Sequence, residues 1–278
     1  MKKITCLSPR GFCFGVKRAL TLLENALPEH PFVLNEIVHN DFVVRSFEEK
    51  GARFVTSLDD VPDGATLVIS AHGVGLNILE QARRKNLKII DTTCPFVRKV
   101  HLFVQQMEKE GLPVILIGKK NHAEIIGTLG QLNEKAFVIA DLEEIKSLPP
   151  LQKAAVATQT TLCADETEHL ISALQKRIPF LKTQSHVCEA TKERQEAVRN
   201  ACAWLNVLLV VGDKKSSNAH RLVETAERLG KKAFLIADAS EIPELGTEEN
   251  IAVTAAASTP EELVREVVDK LSKKTSLS

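Results

Sequence analysis

Apolar and polar positions alternate along this chain in a pattern that recurs three times. "GFCFGVKRALTLLENAL", "TTCPFVRKVHLFVQQMEKEG" and "HVCEATKERQEAVRNACAWL" each place a cysteine just before a stretch with apolar residues three and four apart. That spacing predicts an amphipathic helix, with Val16, Leu20, Leu23 and Leu27 facing inward in the first, Val97, Val100, Val104 and Met107 in the second, and Val198, Ala201, Cys202 and Leu205 in the third. Pro95 suits the first helical position, which needs no N–H partner, so Cys94 is expected at the N-cap. After each helix comes an apolar run ending in a polar loop: "FVLNEIVHN", "PVILIGKKNHAE" and "VLLVVGDKKSSN". A second run follows, entering an acidic turn ("ARFVTSLDDV", "AFVIADLEEI", "AFLIADASEI"), and then a third ending in small polar residues ("ATLVISAHG", "AAVATQTT", "IAVTAAAST"). Strands alternating with helices predict an α/β fold with parallel sheets, whose ligands collect at the carboxyl ends of strands.

The repeat predicts three pseudo-equivalent α/β domains, since Cys13, Cys94 and Cys188 stand roughly 80 to 95 residues apart, about one small domain each. Boundaries near residues 95 and 186 give segments 1–95, 96–186 and 187–278, with the C-terminal tail able to pack back on the first. The polar tail "KLSKKTSLS" reads as a frayed end.

Lys plus Arg and Asp plus Glu both count 36, so no net field draws nucleic acid or an anionic membrane from a distance. Apolar runs such as "NVLLVV" fall far short of the roughly 20 residues of a membrane span. The N-terminus moves from Met1 straight into strand-like sequence, with no signal segment. A cytoplasmic protein is expected, where lasting disulfides are uncommon.

Six cysteines at 6, 13, 94, 163, 188 and 202 therefore read as core thiols or metal ligands. Cys6, in a strand, and Cys202, on a helix stripe, read as small core hydrophobes. Cys13, Cys94 and Cys188 differ, because a helix N-terminus favours the thiolate and the position repeats. No C-x-x-C or H-E-x-x-H spacing is present. Three soft thiolates suit zinc or an iron–sulfur cluster, and three ligands on four irons would leave one iron open. His101, His169, His186 and His220 read as satisfied core or surface residues.

In order along almost the whole chain, "RGFCFGVKRA", "IVHN", "SAHGV", "DTTCP", "NHAEIIGTLG", "TQTTL", "RQEAV" and "VVGDKKSSN" resemble the motifs of the 4-hydroxy-3-methylbut-2-enyl diphosphate reductases of the methylerythritol phosphate pathway. The resemblance implies a trefoil of three α/β domains around a central [4Fe–4S] cluster held by Cys13, Cys94 and Cys188. It implies a diphosphate site made of His39, His72, His122, Ser216, Ser217, Asn218 and Ser258, with Glu124 and Thr160 at the hydroxyl end. It implies reductive dehydroxylation of an allylic diphosphate to isopentenyl and dimethylallyl diphosphate, with electrons from an external donor such as a ferredoxin or flavodoxin. Hydroxyls, amides and imidazoles suit such a site as donors to phosphate oxygens. Two positions depart from the pattern: Ala256 stands where the family usually has Gly, expected to bring a methyl near the phosphate, and Glu193 where Asn is common. A Cys₃ zinc hydrolase and a phosphate-metabolite binding module are the alternative readings of the same residues.

Overall fold

The computed structural model describes residues 3–245 and 250–276, with 274–276 described by backbone alone. Three four-stranded sheets, parallel throughout, carry the fold. The chain divides into two compact units. One comprises the residues up to Lys17, His39–Arg45 and those from Glu189 onward; the other comprises Arg18–Val38 and Ser46–Cys188.

The first unit contains one sheet, built from β1 (Lys3–Cys6), β10 (Val207–Val211), β11 (Lys232–Ile236) and β12 (Asn250–Ala255) in the order β1-β12-β10-β11. Successive side chains of β10 and β12 point to opposite faces, as the two-residue period of a strand requires. Val207, Leu209, Val211, Ile251 and Val253 meet Leu263, Val264, Val267 and Leu271 of helix α10 (Glu261–Ser276). Leu208, Val210 and Ala252 meet Val198 and Ala201 of α8 (Glu189–Ala201) and Leu222 and Ala226 of α9 (Ser217–Arg228). With both faces covered, the central strands have no solvent face and read as unbroken apolar runs.

The second unit contains two sheets. β2 (Phe32–Leu34), β3 (Arg53–Val55), β4 (Thr66–Ile69) and β5 (Lys88–Asp91) run in the order β3-β2-β4-β5. β6 (Val114–Ile117), β7 (Phe137–Ile139), β8 (Lys153–Thr158) and β9 (Phe180–Thr183) run β7-β6-β8-β9. On one face of the latter sheet, Val100, Val104 and Met107 of α4 (Pro95–Lys109) and Ile125 of α5 (Ala123–Leu129) cover Val114, Leu116, Ala155 and Ala157. On the other, Leu170, Ile171 and Leu174 of α7 (Ala164–Arg177) cover Ile115, Ile117 and Val156. Helices α3 (Leu76–Arg84) and α6 (Leu142–Lys146) complete this unit, while α1 (Phe14–Ala26) and α2 (Asp41–Glu49) run across the division of the chain.

Numbered by position, all three sheets share the order second, first, third, fourth strand. In two of them the fourth strand is the next in sequence. In the remaining sheet that edge is filled by β1, whose Lys3 to Cys6 register with Asn250 to Val253 of β12. The consecutive segments expected from the repeat are therefore not the structural division: β1 lies in the expected 1–95 segment but pairs with the last strand of 187–278. The reason is physical, since an edge of β12 left bare would expose a row of unpaired main-chain groups. The tail also differs from expectation, since helix α10 continues to Ser276; Leu277 and Ser278 lie outside the described residues. Among the described residues no helix is long and apolar enough to cross a membrane.

Candidate functional site

The three helix-start cysteines occupy equivalent places: Cys13 lies beyond β1, Cys94 beyond β5 and Cys188 beyond β9, each the fourth strand of its sheet. Each main-chain N–H donates to a carbonyl just past the third strand of the same sheet: Cys13 to Ala257 at 3.1 Å, Cys94 to Ala71 at 2.9 Å and Cys188 to Thr160 at 3.0 Å. None of the three is in a disulfide, and all are partly exposed. Cys94 is the N-cap of α4 with Pro95 following it, as the sequence predicts. Cys202 is buried in the core behind β10. Among the described residues no three His, Cys, Asp or Glu side chains converge as ligands of a single metal ion.

In the second unit, Glu124 stands in the first turn of α5 and is 2% exposed. Its carboxylate accepts the Thr160 N–H at 2.7 Å on one oxygen and the Thr160 hydroxyl at 2.9 Å on the other. Burial pushes the carboxyl up to about 7, against the pull of the two Thr160 bonds, which favour the charged form. Thr160 thus joins the carboxyl, through its donors, to the Cys188 N–H, through its carbonyl.

His122 caps the same helix, and its Nδ1 accepts the Glu124 N–H at 3.1 Å. With Nδ1 as acceptor, the proton of a neutral ring sits on Nε2. The ring meets His72 edge to face, with centroids 5.7 Å apart. Glycines make that approach feasible. A Cβ on Gly127 would stand 2.9 Å from the Gly73 carbonyl oxygen, and one on Gly130 would stand 2.6 Å from the Gly75 Cα. Gly73 itself has φ +74°, open to glycine and strained for other residues. The loop after β4, which bears His72, therefore lies against α5, which bears Glu124.

In the first unit, Ser216 caps α9 by accepting the Ala219 N–H at 3.3 Å, and Ser217 is the first helical residue. Both are buried, as is Asn218 at 4% exposed. Neither Asn218 Oδ1 nor Nδ2 has a hydrogen-bond partner. A buried amide without partners costs free energy, and a ligand offering both donor and acceptor sites relieves that cost. Hydroxyls at a helix N-terminus beside such an amide are of the donor types that anions accept from. Ser258 donates to the His39 carbonyl at 3.0 Å, tying the loop after β12 to the start of α2.

Several residues differ from their sequence reading. The Ala256 methyl is fully buried in the core and lies 3.1 Å from where a Cβ on Gly212 would stand. Glu193 is exposed on α8. His101 and His186 are buried but not satisfied: His101 Nε2 and both His186 nitrogens lack partners, and burial pulls each imidazole down to about 4, so both are neutral. Sequence reasoning missed Gln159, whose buried amide accepts the Lys119 N–H at 3.2 Å and donates to Thr161 at 2.8 Å, bracing the loops after β6 and β8. Its signal was its place inside "TQTT", at the carboxyl end of a strand.

In each unit, parallel strands carry polar side chains at their carboxyl ends, the place where α/β proteins bind their ligands. The chain belongs to the LytB protein family, whose model matches residues 4–272. It is 44% identical over 281 residues to the 4-hydroxy-3-methylbut-2-enyl diphosphate reductase of Tolumonas auensis, covering 97% of this chain and 91% of the relative. The same reductase of a Polaromonas species is 42% identical, covering 98% and 84%. Among solved structures, the E-1-hydroxy-2-methyl-but-2-enyl-4-diphosphate reductase of Plasmodium falciparum superposes with a TM-score of 0.93 at 38% identity, covering 96% of this chain and 87% of that one.

Two outcomes follow from this geometry. Gly127→Ala places a methyl against a main-chain oxygen that cannot rotate away, so the variant loses stability by about 1 to 3 kcal/mol despite alanine's better helix propensity. Denaturant unfolding measures this, and His72 and His122 resonances shift with it. For Glu124, the folded state holds a proton that the unfolded state has released between the ordinary carboxyl value near 4.5 and about 7. Its contribution is therefore greatest at the acid end and is lost as pH rises through that window. Glu124→Gln flattens that part of the stability profile.

Proposed function

We propose that this chain is a cytoplasmic oxidoreductase that converts 4-hydroxy-3-methylbut-2-enyl diphosphate to isopentenyl and dimethylallyl diphosphate. Two electrons and two protons enter, the allylic C–O bond breaks and one water leaves. Family membership supports the substrate, since relatives across nearly the whole chain carry that name. The observation that carries the chemistry is the buried Glu124 carboxyl, held by Thr160 at a proton affinity suited to neutral pH.

Cys13, Cys94 and Cys188 are proposed as ligands of a [4Fe–4S] cluster. The donor set fits: three cysteines outside any disulfide, each just ahead of a helix and each anchored by the same main-chain bond. Thiolates of such a cluster bind separate irons, so they need not close on one point as zinc ligands do. When bound, the cluster supplies the electrons and a Lewis-acidic iron, recharged by an external carrier such as a ferredoxin or flavodoxin.

The protein's own groups do the rest. The fixed Glu124 carboxyl gives up the proton that a poor leaving group needs, and Thr160 holds both its oxygens in orientation. His39, His72, His122, Ser216, Ser217, Asn218 and Ser258 are proposed to hold the diphosphate, with mostly neutral donors replacing water around its oxygens. Asn218 is the member whose bonding capacity stands open.

Anaerobically purified protein is expected to be brown, with iron and acid-labile sulfide, and to reduce the allylic diphosphate with a chemical electron donor. Replacing Cys13, Cys94 or Cys188 by Ser removes activity and much of the iron, while Cys6→Ser does not. Glu124→Gln keeps the iron and substrate affinity and loses about a hundred-fold or more in turnover, within the range of general acid catalysis. Asn218→Ala weakens diphosphate binding about ten- to a hundred-fold, the worth of a charge-assisted hydrogen bond. A colourless protein carrying one zinc would overturn the assignment in favour of a hydrolase, and binding without turnover would favour a metabolite-binding module.

A further inference from the structure

Arg194 is a buried charge that the proposed chemistry does not use. It lies on α8 and is 3% exposed. One terminal nitrogen donates to the Ala190 carbonyl a turn back in the helix, at 2.7 Å, and the other to the Gly11 carbonyl, also at 2.7 Å. Gly11 precedes Cys13 by two residues, has φ +68°, and sits so that a Cβ would meet the Thr259 carbonyl at 3.4 Å.

The segment leading to Cys13 is therefore held at three places. Arg10 bonds the Leu7 carbonyl at 3.2 Å and pairs with Glu261 at 2.6 Å, Arg194 bonds Gly11, and the Cys13 N–H bonds Ala257. These ties are unequal. The Arg10 pair is part-exposed and screened by water, which leaves it little energetic weight. The Arg194 bond is shielded, and a planar guanidinium reaches two carbonyls at fixed separation where an ammonium reaches as a single point. Burying a guanidinium is costly. Beyond what a neutral donor would provide, it adds a permanent positive charge within about 14 Å of the Cys13 sulfur, the longest reach of the hydrogen bond, two residues of backbone and a side chain.

We propose that Arg194 is the positioning residue of Cys13: its fork fixes the backbone that presents the thiol, and its charge raises the reduction potential of the cluster that Cys13 helps to hold. A nearby cation favours the more negative, reduced state. The charge half rests on the cluster reading of the preceding section; the backbone half stands on the apoprotein.

The two halves separate experimentally with Arg194→Met, which removes fork and charge, and Arg194→Lys, which keeps the charge. In apoprotein, hydrogen exchange at the Cys13 amide is expected to rise at least about ten-fold in the Met variant, the loss of one bond to a charged group, with Val207–Val211 unchanged. In reconstituted protein, the Met variant's oxidised-to-reduced ratio at a fixed poise rises at least ten-fold, about 59 mV for a one-electron couple, whereas Lys stays near wild type. Unchanged exchange at Cys13, or faster exchange throughout Val207–Val211, overturns the positioning role. Faster exchange at Cys13 with an unmoved potential overturns the charge half. If wild-type protein takes up no iron and sulfide, the function reading and the charge half fail together, and the exchange result still decides the backbone half. Should the Met variant not fold, the Lys variant carries the exchange test, because one ammonium nitrogen cannot stand at both positions from which the fork reaches the Ala190 and Gly11 carbonyls.

Discussion

One main-chain hydrogen bond, made three times, sets where the chemistry sits: a cysteine N–H, just ahead of a helix, donates to a carbonyl just beyond the third strand of its sheet. A parallel strand must leave its sheet at the carboxyl end and return by a helix, so this is the point where two consecutive exits run side by side. The bond fixes each thiol relative to the loop that bears the polar side chains. At Cys188 the acceptor is Thr160, whose two donors grip the Glu124 carboxyl. The place of the Cys188 thiol and the setting of the Glu124 carboxyl are thus coupled through a single residue.

Burial then decides what those side chains can do. The carboxyl of Glu124, placed in water at the same helix position, would be an ordinary anion complementing the helix dipole. Shielded, it holds a proton near neutrality. The same shielding keeps His101 and His186 neutral and leaves Asn218 short of partners. These groups cost stability, and the covered central strands of all three sheets, buried on both faces, offset that cost.

Much of this was legible in the sequence. The first three strands of each repeat are apolar runs, and the cysteine-led helices declare themselves by spacing and by Pro95. The edge strands β5 and β9 were not. "KIID" and "FLKT" are short, half exposed and broken by charge, because an edge faces water on one side. The partner of β1 was equally hidden, since local pattern specifies a strand and not its neighbour. At the site, residue identities were readable while their states were not. Glu124 looks like a surface charge in a first turn, and Arg194 sits among the charges of "TKERQEAV" with nothing to mark it as buried. The glycines of "HGVG" and "GTLG" carry no signal of their partner, yet they allow two backbones to touch.

The pairing of β1 with β12 also dictates an order of events during synthesis. β1 leaves the ribosome long before β12, yet Lys3 must wait for Asn250 before its ladder can form. At about 5 to 20 residues per second that wait lasts roughly 12 to 50 seconds. For that interval the segment carrying Cys13 has no template, while the two sheets of the other unit have all their strands once Thr183 is made, well before Asn250. The nascent chain thus matures from its middle outward, and the thiol of Cys13, made early, is among the last to be set in place.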